Sequence, residues 1–164
     1  MREFGKSGFR LAQLSNDAKV VYIGFLIFIG LGFTTLGLFQ VVRIGPTLHR
    51  IAAHYRGGEL EQGMAFPKSF AELLELTHFH TFMMGVVFLI LAHLVIAADL
   101  SRWLRMLFIG LAGIGSLGDI GSYWLIRYVS SAWAVLQLLS WIAMWVGYGG
   151  MIMATLWALR LPSK

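Results

Sequence analysis

Residues 72–95, ELLELTHFHTFMMGVVFLILAHLV, decide the fold, because most of this stretch is apolar and long enough to cross a lipid bilayer. A spanning helix needs about 20 consecutive apolar residues. Besides Glu72 at its start, the stretch holds four ionisable residues, Glu75, His78, His80 and His93. Ionisable groups within a membrane are costly and normally face a protein interior or a cavity. The stretch therefore predicts both a membrane helix and a polar site.

The composition is that of an integral membrane protein. Of the 164 residues, 58% are hydrophobic and 13% are charged, and the mean hydropathy is +0.74. The absence of cysteine excludes disulfides, thiolate metal sites, iron–sulfur clusters and c-type haem attachment on this chain, but not haem held by histidine. The net charge of +5 is carried mostly at the ends of apolar segments, where basic residues anchor membrane proteins, so no nucleic-acid partner is expected.

Four apolar segments predict four membrane spans, at about residues 20–42, 76–98, 106–126 and 132–159. Backbone groups in lipid must be hydrogen-bonded internally, so each span is expected to be a helix. The last two connections are short, which favours an all-α, up-down-up-down transmembrane four-helix bundle formed by residues 1–164 as one domain. The loop 43–67 is expected to carry a short surface helix, with Pro46 at its first position and Gly57-Gly58 at its end, followed by a turn-rich connection.

The basic residues predict the orientation, because lysine and arginine concentrate on the cytoplasmic side. With both termini inside, eight basic residues lie inside and five outside. The inner set is Arg2, Lys6, Arg10, Lys19, Arg102, Arg105, Arg160 and Lys164, and the outer set is Arg43, Arg50, Arg56, Lys68 and Arg127. The loop 43–67 is then outside, which is the periplasm in a Gram-negative bacterium.

Helical spacing separates the polar residues of the second span into two faces. Glu75, His78 and His93 share one stripe with Phe82, Val86 and Leu89, and this stripe is expected to face the bundle. His80 points about 160° away from His78, on a stripe with Met83, Met84, Val87 and Leu91.

Each face allows a functional and a structural interpretation. Glu75 and His78 have the Glu-x-x-His spacing of carboxylate metal sites in four-helix bundles, although Glu75 could simply orient His78 or sit in interfacial water. His80 and Met84 could bind copper or provide an axial position for haem, although a methionine-rich core stripe would look the same. The candidate metal ligands are thus Glu75, His78, His80 and His93, for a transition metal such as iron or copper.

Asp119 is the only acid inside an apolar span, and it lies in the small-residue run LAGIGSLGDIGSYW. Small residues let helices approach closely, and they could also make room for a flat cofactor. In the structural alternative, Asp119 pairs with a histidine or with Arg127. Gln40 and Gln137 come out at heights similar to that of His78, so a polar layer drawn from all four helices is expected.

The histidine spacing also resembles that of membrane cytochromes with two haems. His93 follows His78 by 15 residues and His80 by 13, but the other three spans contain no histidine, so two haems held only by histidines of this chain are excluded. The haem hypothesis that remains is a single haem b. It would be held by His78 or His80, with His49 or His54 folding back from the loop as second ligand.

The segments ELTHFHTFMMGVVFLILAHL and LGDIGSYWLIRYVSSAWA resemble small four-helix bacterial inner-membrane proteins of unassigned function. The matching features are the Thr-His-Phe-His stretch, His93, Asp119 and residues 124–128, within residues 73–147. The resemblance implies a multi-pass inner-membrane location and one recurring arrangement of these residues. It implies no activity, and it does not reach His49 or His54.

Two classes of function follow from these residues. In the first, a haem b or metal ion is held by His78 or His80 with Glu75 and Asp119 in support, and the protein passes electrons between quinol and a periplasmic redox protein. In the second, the chain is a non-catalytic scaffold subunit of a homo- or hetero-oligomeric complex, and its polar layer fixes helix register. A third possible function is a proton or small-solute path through Asp119 and His93. It has less support, because few polar groups lie near the inner side. No hydrolase or nucleotide-binding motif is present.

Overall fold

The structure is a computed structural model that describes residues 10–60 and 63–160 of the chain. Five α-helices and one short hairpin follow each other along the chain. They are α1 (Asn16–Phe39, continued by a π-helical turn Gln40–Ile44), α2 (Leu48–Arg56), β1 (Gly58–Leu60), β2 (Gly63–Ala65), α3 (Phe70–Ile96), α4 (Arg102–Tyr128) and α5 (Ala134–Arg160). Short 3-10 turns, Leu11–Gln13 and Ser131–Trp133, precede α1 and α5.

Four of these helices are long and apolar enough to cross a membrane, which confirms the predicted all-α transmembrane bundle. Contacts at the helix ends show the alternating direction. The backbone N–H of Leu11, before α1, donates to the carbonyl of Ala97 at the end of α3. Arg127, at the end of α4, donates to the carbonyl of Lys68, just before α3. Of the residues used for the charge bias, Arg2, Lys6 and Lys164 lie outside the described residues.

Local sequence explains where the shorter elements begin and end. Ser69 and Glu72 form a reciprocal capping box, so α3 begins at Phe70. Thr47 caps α2 by accepting from the N–H of Arg50, so Pro46 lies before the helix and not at its first position as predicted. Gly57, with φ +83°, ends α2 as predicted, because this backbone conformation favours glycine.

The connection predicted to be turn-rich forms the antiparallel hairpin β1–β2, with Glu59 opposite Met64. Helix α2 covers one end of the bundle, with the hairpin beside it, and we call this end the cap end. Ile51 and Tyr55 of α2 are buried against the bundle, and Arg56 donates to the carbonyl of Ile126 on α4. The amphipathic face of α2 therefore packs on protein.

The small-residue run of α4 lies against α5. A methyl carbon added at Gly115 would lie 2.9 Å from the backbone nitrogen of Met144, and one added at Gly147 would overlap the backbone of Ala112. Close backbone approach of this kind is how membrane helices gain packing energy, since lipid leaves little hydrophobic drive between them. The expectation that the run makes room for a cofactor is therefore wrong, because α5 fills that space.

The predicted inward stripe of α3 faces outward. Glu75, His78 and His93 are exposed, and so are the apolar residues between them, Phe82, Val86 and Leu89. The prediction that this stripe faces the bundle is wrong. The buried side of α3 instead carries Leu73, Leu91 and Val95, with His80 and Met84 half-buried along the same side.

Candidate functional site

A cavity of about 740 Å³ lies in the cap-end half of the bundle. One wall is the end of α1 with its π-helical turn, and the facing wall is the first part of α3. Side chains of α2, α4 and α5 complete it. Its polar lining comes from Gln40, Arg43, His54, Tyr55, Lys68, Glu72, Glu75, His78, His80, Asp119, Tyr123 and Trp141. Pockets of about 300–1,000 Å³ with a few convergent polar groups are typical of cofactor and small-molecule sites.

His80 lines this cavity, and one of its ring nitrogens is held by the backbone of α3. Its Nδ1 lies 2.9 Å from the carbonyl oxygen of Leu76, one turn back on α3. A carbonyl can only accept, so Nδ1 is the donor, and the tautomer that matches this bond has its lone pair on Nε2. His93 makes the same bond to Leu89, at 2.7 Å, so the bond alone does not mark a site. What distinguishes His80 is the cavity in front of it.

Asp119 is 92% buried and is held by a network from α5. Gln137 and Trp141 both donate to its Oδ1, with the Trp141 Nε1 at 3.0 Å. Ser122 donates to the side-chain oxygen of Gln137 at 2.6 Å, which turns the amide N–H₂ of Gln137 toward the carboxyl group. Both donors reach the same oxygen, so Oδ2 remains available to the cavity that Asp119 lines.

The hydrogen bonds to Asp119 come from α5 and not from Arg127, while His80 lies within electrostatic range of the Asp119 carboxylate. The Arg127 Nε donates to Lys68 O at 2.7 Å, and its guanidinium lies over the ring of Tyr128. The predicted polar layer is nevertheless present, with Gln40 from α1, His80 from α3, Asp119 from α4 and the donors from α5.

Arg43 and Lys68 bring positive charge to the lining of the cavity, near His54. Lys68 pairs with Glu72 at 2.9 Å. Burial lowers the pKa of His54 to about 4, and the nearby charges of Lys68 and Arg43 add to the effect. The imidazole of His54 is therefore neutral at physiological pH. Burial likewise raises the pKa of the Tyr55 hydroxyl, whose ring stacks on Tyr123 at 5.7 Å between centroids.

The structure brings together some of the predicted site residues and separates others. His54, His80 and Asp119 line one cavity, and Glu75 and His78 lie at its rim on the exposed side of α3. The other two histidines, His49 and His93, lie away from it.

His49 turns away from the cavity, with its Nε2 3.1 Å from the carbonyl oxygen of Glu59. His93 lies 13 residues beyond His80, or roughly 20 Å along α3 at 1.5 Å per residue. Within residues 10–60 and 63–160, no group of three or more His, Asp or Glu side chains is arranged to hold a metal ion.

Sequence reasoning missed three members of the site. Arg43 and Lys68 were assigned only to membrane orientation, and nothing in their spacing indicates a cavity. Trp141 was not singled out, although its four-residue distance from Gln137 puts both side chains on one face of α5. That spacing could have identified the pair of donors to Asp119.

Residues 45–164 match a protein family described as a transmembrane helical domain, and the chain belongs to that family. The match agrees with the resemblance to small membrane-helical proteins of unassigned function. It covers α2 to α5, and so includes every wall of the cavity except the one formed by α1. No curated protein and no solved structure matches the chain.

Proposed function

We propose that this member of the transmembrane helical domain family is a membrane redox protein that holds one haem b in the cap-end cavity, with His80 as an iron ligand. The observation that carries the proposal is that His80 lines a cavity of about 740 Å³ while its Nδ1 is held by Leu76 O. A histidine that ligates a metal usually donates its other ring nitrogen to a carbonyl or carboxylate in this way.

His54 is our candidate for the second ligand. It lines the same cavity from α2, and its lowered pKa keeps the imidazole neutral, as ligation requires. Arg43 and Lys68 surround the same region and would pair with the two propionates. Phe79, Met84 and the stacked ring of Tyr123 supply apolar and aromatic surface for the macrocycle.

A bound haem would supply one-electron chemistry, and the chain would hold and orient it. The cavity lies between α1 and α3, where a lipid-soluble donor such as quinol can approach from the bilayer. The cap end, which the charge bias assigns to the periplasmic side of a bacterial inner membrane with both termini inside, would face a periplasmic redox protein. A copper ion at His80 and Met84 is the alternative occupant, since both line the cavity one helical turn apart.

The competing proposal is a scaffold subunit, and the network of Ser122, Gln137, Asp119 and Trp141 favours it. These four side chains are hydrogen-bonded to one another without any bound species, as in a structural hydrogen-bond network. The scaffold proposal predicts a stable bundle with an empty cavity.

The test is the visible spectrum of the purified protein, as isolated and after dithionite, together with elemental analysis for iron and copper. We expect a Soret band and about one iron per chain, following from a single ligand-bearing cavity. His80→Ala should remove most of the haem. His93→Ala is the matched control, because it deletes a histidine with the same backbone bond that lies away from the cavity, and it should retain the haem.

Circular dichroism of both variants shows whether each is folded. A folded protein without a Soret band or stoichiometric metal overturns the proposal and leaves the scaffold function. Stoichiometric copper without haem would mean that the cavity binds copper and not haem. Equal haem in the His80→Ala and His93→Ala variants would mean that the ligand lies elsewhere.

A further inference from the structure

The guanidinium group of Arg127 is fixed in place at the cap end of α4. Its Nε donates to the carbonyl oxygen of Lys68 at 2.7 Å, and the group lies over the ring of Tyr128, 5.1 Å from the ring centre. Its two terminal Nη atoms have no hydrogen-bond or ion-pair partner within residues 10–60 and 63–160. The side chain is half-buried, and charged groups withdrawn from water are normally paired. Arg127 therefore has room for an anion.

A row of aromatic rings runs from this guanidinium toward the middle of the membrane. Tyr128 stacks on Trp124, one helical turn deeper, with ring centres 5.8 Å apart. Trp124 in turn meets the edge of Phe70 on α3, at 5.4 Å between ring centres. Phe70 and Tyr128 are 61% and 50% exposed, although the row lies at the end of the apolar span Arg102–Tyr128. Tryptophan and tyrosine at this position lie at the level of the lipid headgroups.

A shallow groove on the outward face of α3 begins beside this row. The Nε1 of Trp124 donates to the hydroxyl group of Thr77 at 2.8 Å, and Thr77 and Leu74 line the cap end of the groove. From Leu74 to Leu89 the groove extends about 22 Å along the helix, at 1.5 Å per residue. The hydrocarbon of one leaflet is about 15 Å deep, half of the bilayer core. The groove is lined by Leu74, Thr77, His78, Thr81, Phe82, Gly85, Val86 and Leu89.

We propose that one phospholipid of the leaflet on the cap-end side binds this surface, with its phosphate at Arg127 and one acyl chain in the groove of α3. A guanidinium group presents a planar pair of N–H donors, which suits two phosphate oxygens. The aromatic row lies between these two places and covers the glycerol region. The groove is long enough to hold an acyl chain over the full depth of its leaflet.

The bilayer around the spans supplies this ligand, which is why the occupant is a lipid. A phospholipid carries its phosphate at the level where α4 ends and its chains below that level, so one molecule meets both Arg127 and the groove. A free phosphate ion would pair with Arg127 but would leave the exposed rings and the groove uncovered. Among the described residues that line the groove, His78 alone also lines the cap-end cavity. The lipid site is therefore independent of a haem in that cavity.

The test is native mass spectrometry of the protein released from membranes in mild detergent, with phosphorus analysis after extensive washing. We expect about one retained phospholipid per chain, bound through its phosphate. Arg127→Gln should lower the retained lipid at least about tenfold, as the loss of a charge-assisted hydrogen bond entails. Arg50→Gln is the matched control, because Arg50 is also at the cap end but lies against Gly45 at the end of α1. It should keep the lipid.

The groove is tested separately with Gly85→Leu. A carbon added at Gly85 meets no atom within 4 Å, so leucine there leaves the packing of this chain intact and occupies the space of the acyl chain. We expect less retained lipid. Gly110→Leu is the control, since a carbon added at Gly110 also meets nothing within 4 Å, near the opposite end of α4. It should retain the lipid.

Equal lipid in the Arg127→Gln and Arg50→Gln variants would overturn the proposal, and so would a folded protein that retains no phospholipid. Binding of inorganic phosphate without phospholipid would mean that Arg127 is only an ion site. A second protein chain in place of the lipid would mean that this face binds a subunit. Circular dichroism shows whether each variant is folded. His80→Ala, which should lose haem, should keep the phospholipid, so the lipid site and the proposed function can fail separately.

Discussion

Replacing Gly147 with alanine tests the contact that holds α4 and α5 together. The added carbon would lie 2.8 Å from Ala112 Cα and 2.9 Å from Phe108 O, and it would overlap the backbone nitrogen of Ala112. Comfortable carbon contacts need about 3.5 Å, so the helices must separate by roughly 0.7 Å. All three neighbouring atoms are backbone, so no side chain can rotate out of the way.

A gap of that size forfeits a quarter to a half of the dispersion energy at each contact along the interface. We expect a loss of about 1–3 kcal/mol in the free energy of unfolding, the usual cost of overpacking. The measurement is reversible unfolding in mixed micelles by titration with sodium dodecyl sulfate, followed by circular dichroism.

Gly149→Ala is the control on the same helix, since its added carbon meets nothing within 4 Å. Alanine is the better helix former by about 1 kcal/mol, so this variant should be neutral or more stable. Equal stability of the two variants would refute the close approach of α4 and α5. A destabilised Gly149→Ala would show that the effect is not specific to the contact.

Two further predictions concern the cap end. Because the pKa of His54 is lowered from 6.5 to about 4, the unfolded chain binds more protons than the folded one between these values, so stability is lost as the pH falls through this window. Between pH 7 and pH 5 we expect the free energy of unfolding to fall by about 1 kcal/mol, after allowing for solvent screening. In detergent unfolding, His54→Gln should abolish this pH dependence, whereas the exposed His49→Gln should preserve it. The orientation can be tested with a membrane-impermeant maleimide. It should label Leu60→Cys in intact cells, and it should label Asp99→Cys, at the other end of the bundle, only after permeabilisation. The reverse pattern would mean that the topology is inverted.

The sequence was sufficient to predict the helices, because spanning a bilayer imposes strong requirements on length and composition. The four spans lie close to their predicted positions, and the ends that differ are determined by caps. Ser69 and Glu72 extend α3 toward the chain start, and Thr47 replaces Pro46 at the start of α2. The two-stranded hairpin was not predicted, because its strands are three residues each and show no readable alternation.

The direction in which each helix faces was harder to predict. Lipid and the bundle interior are both apolar, so α3 has no strong hydrophobic side, and the polar residues were the only guide. His80 and Asp119 line the cavity, whereas the stripe through Glu75 and His93, which was predicted to face the bundle, faces outward. A polar residue in a span predicts a need for a partner.

The two sides of the bundle are built differently, and the difference locates the cavity. On one side, α4 and α5 meet backbone to backbone at Gly115 and Gly147, which fixes Asp119 against its donors Gln137 and Trp141. On the other side, α1 buries fully only Leu26 within its helical stretch, and its π-helical turn is one wall of the cavity. The family match begins at residue 45, just after that turn. A rigid pair of helices thus holds Asp119 in position on one side of the cavity, while the loosely packed α1 forms a wall on the other side.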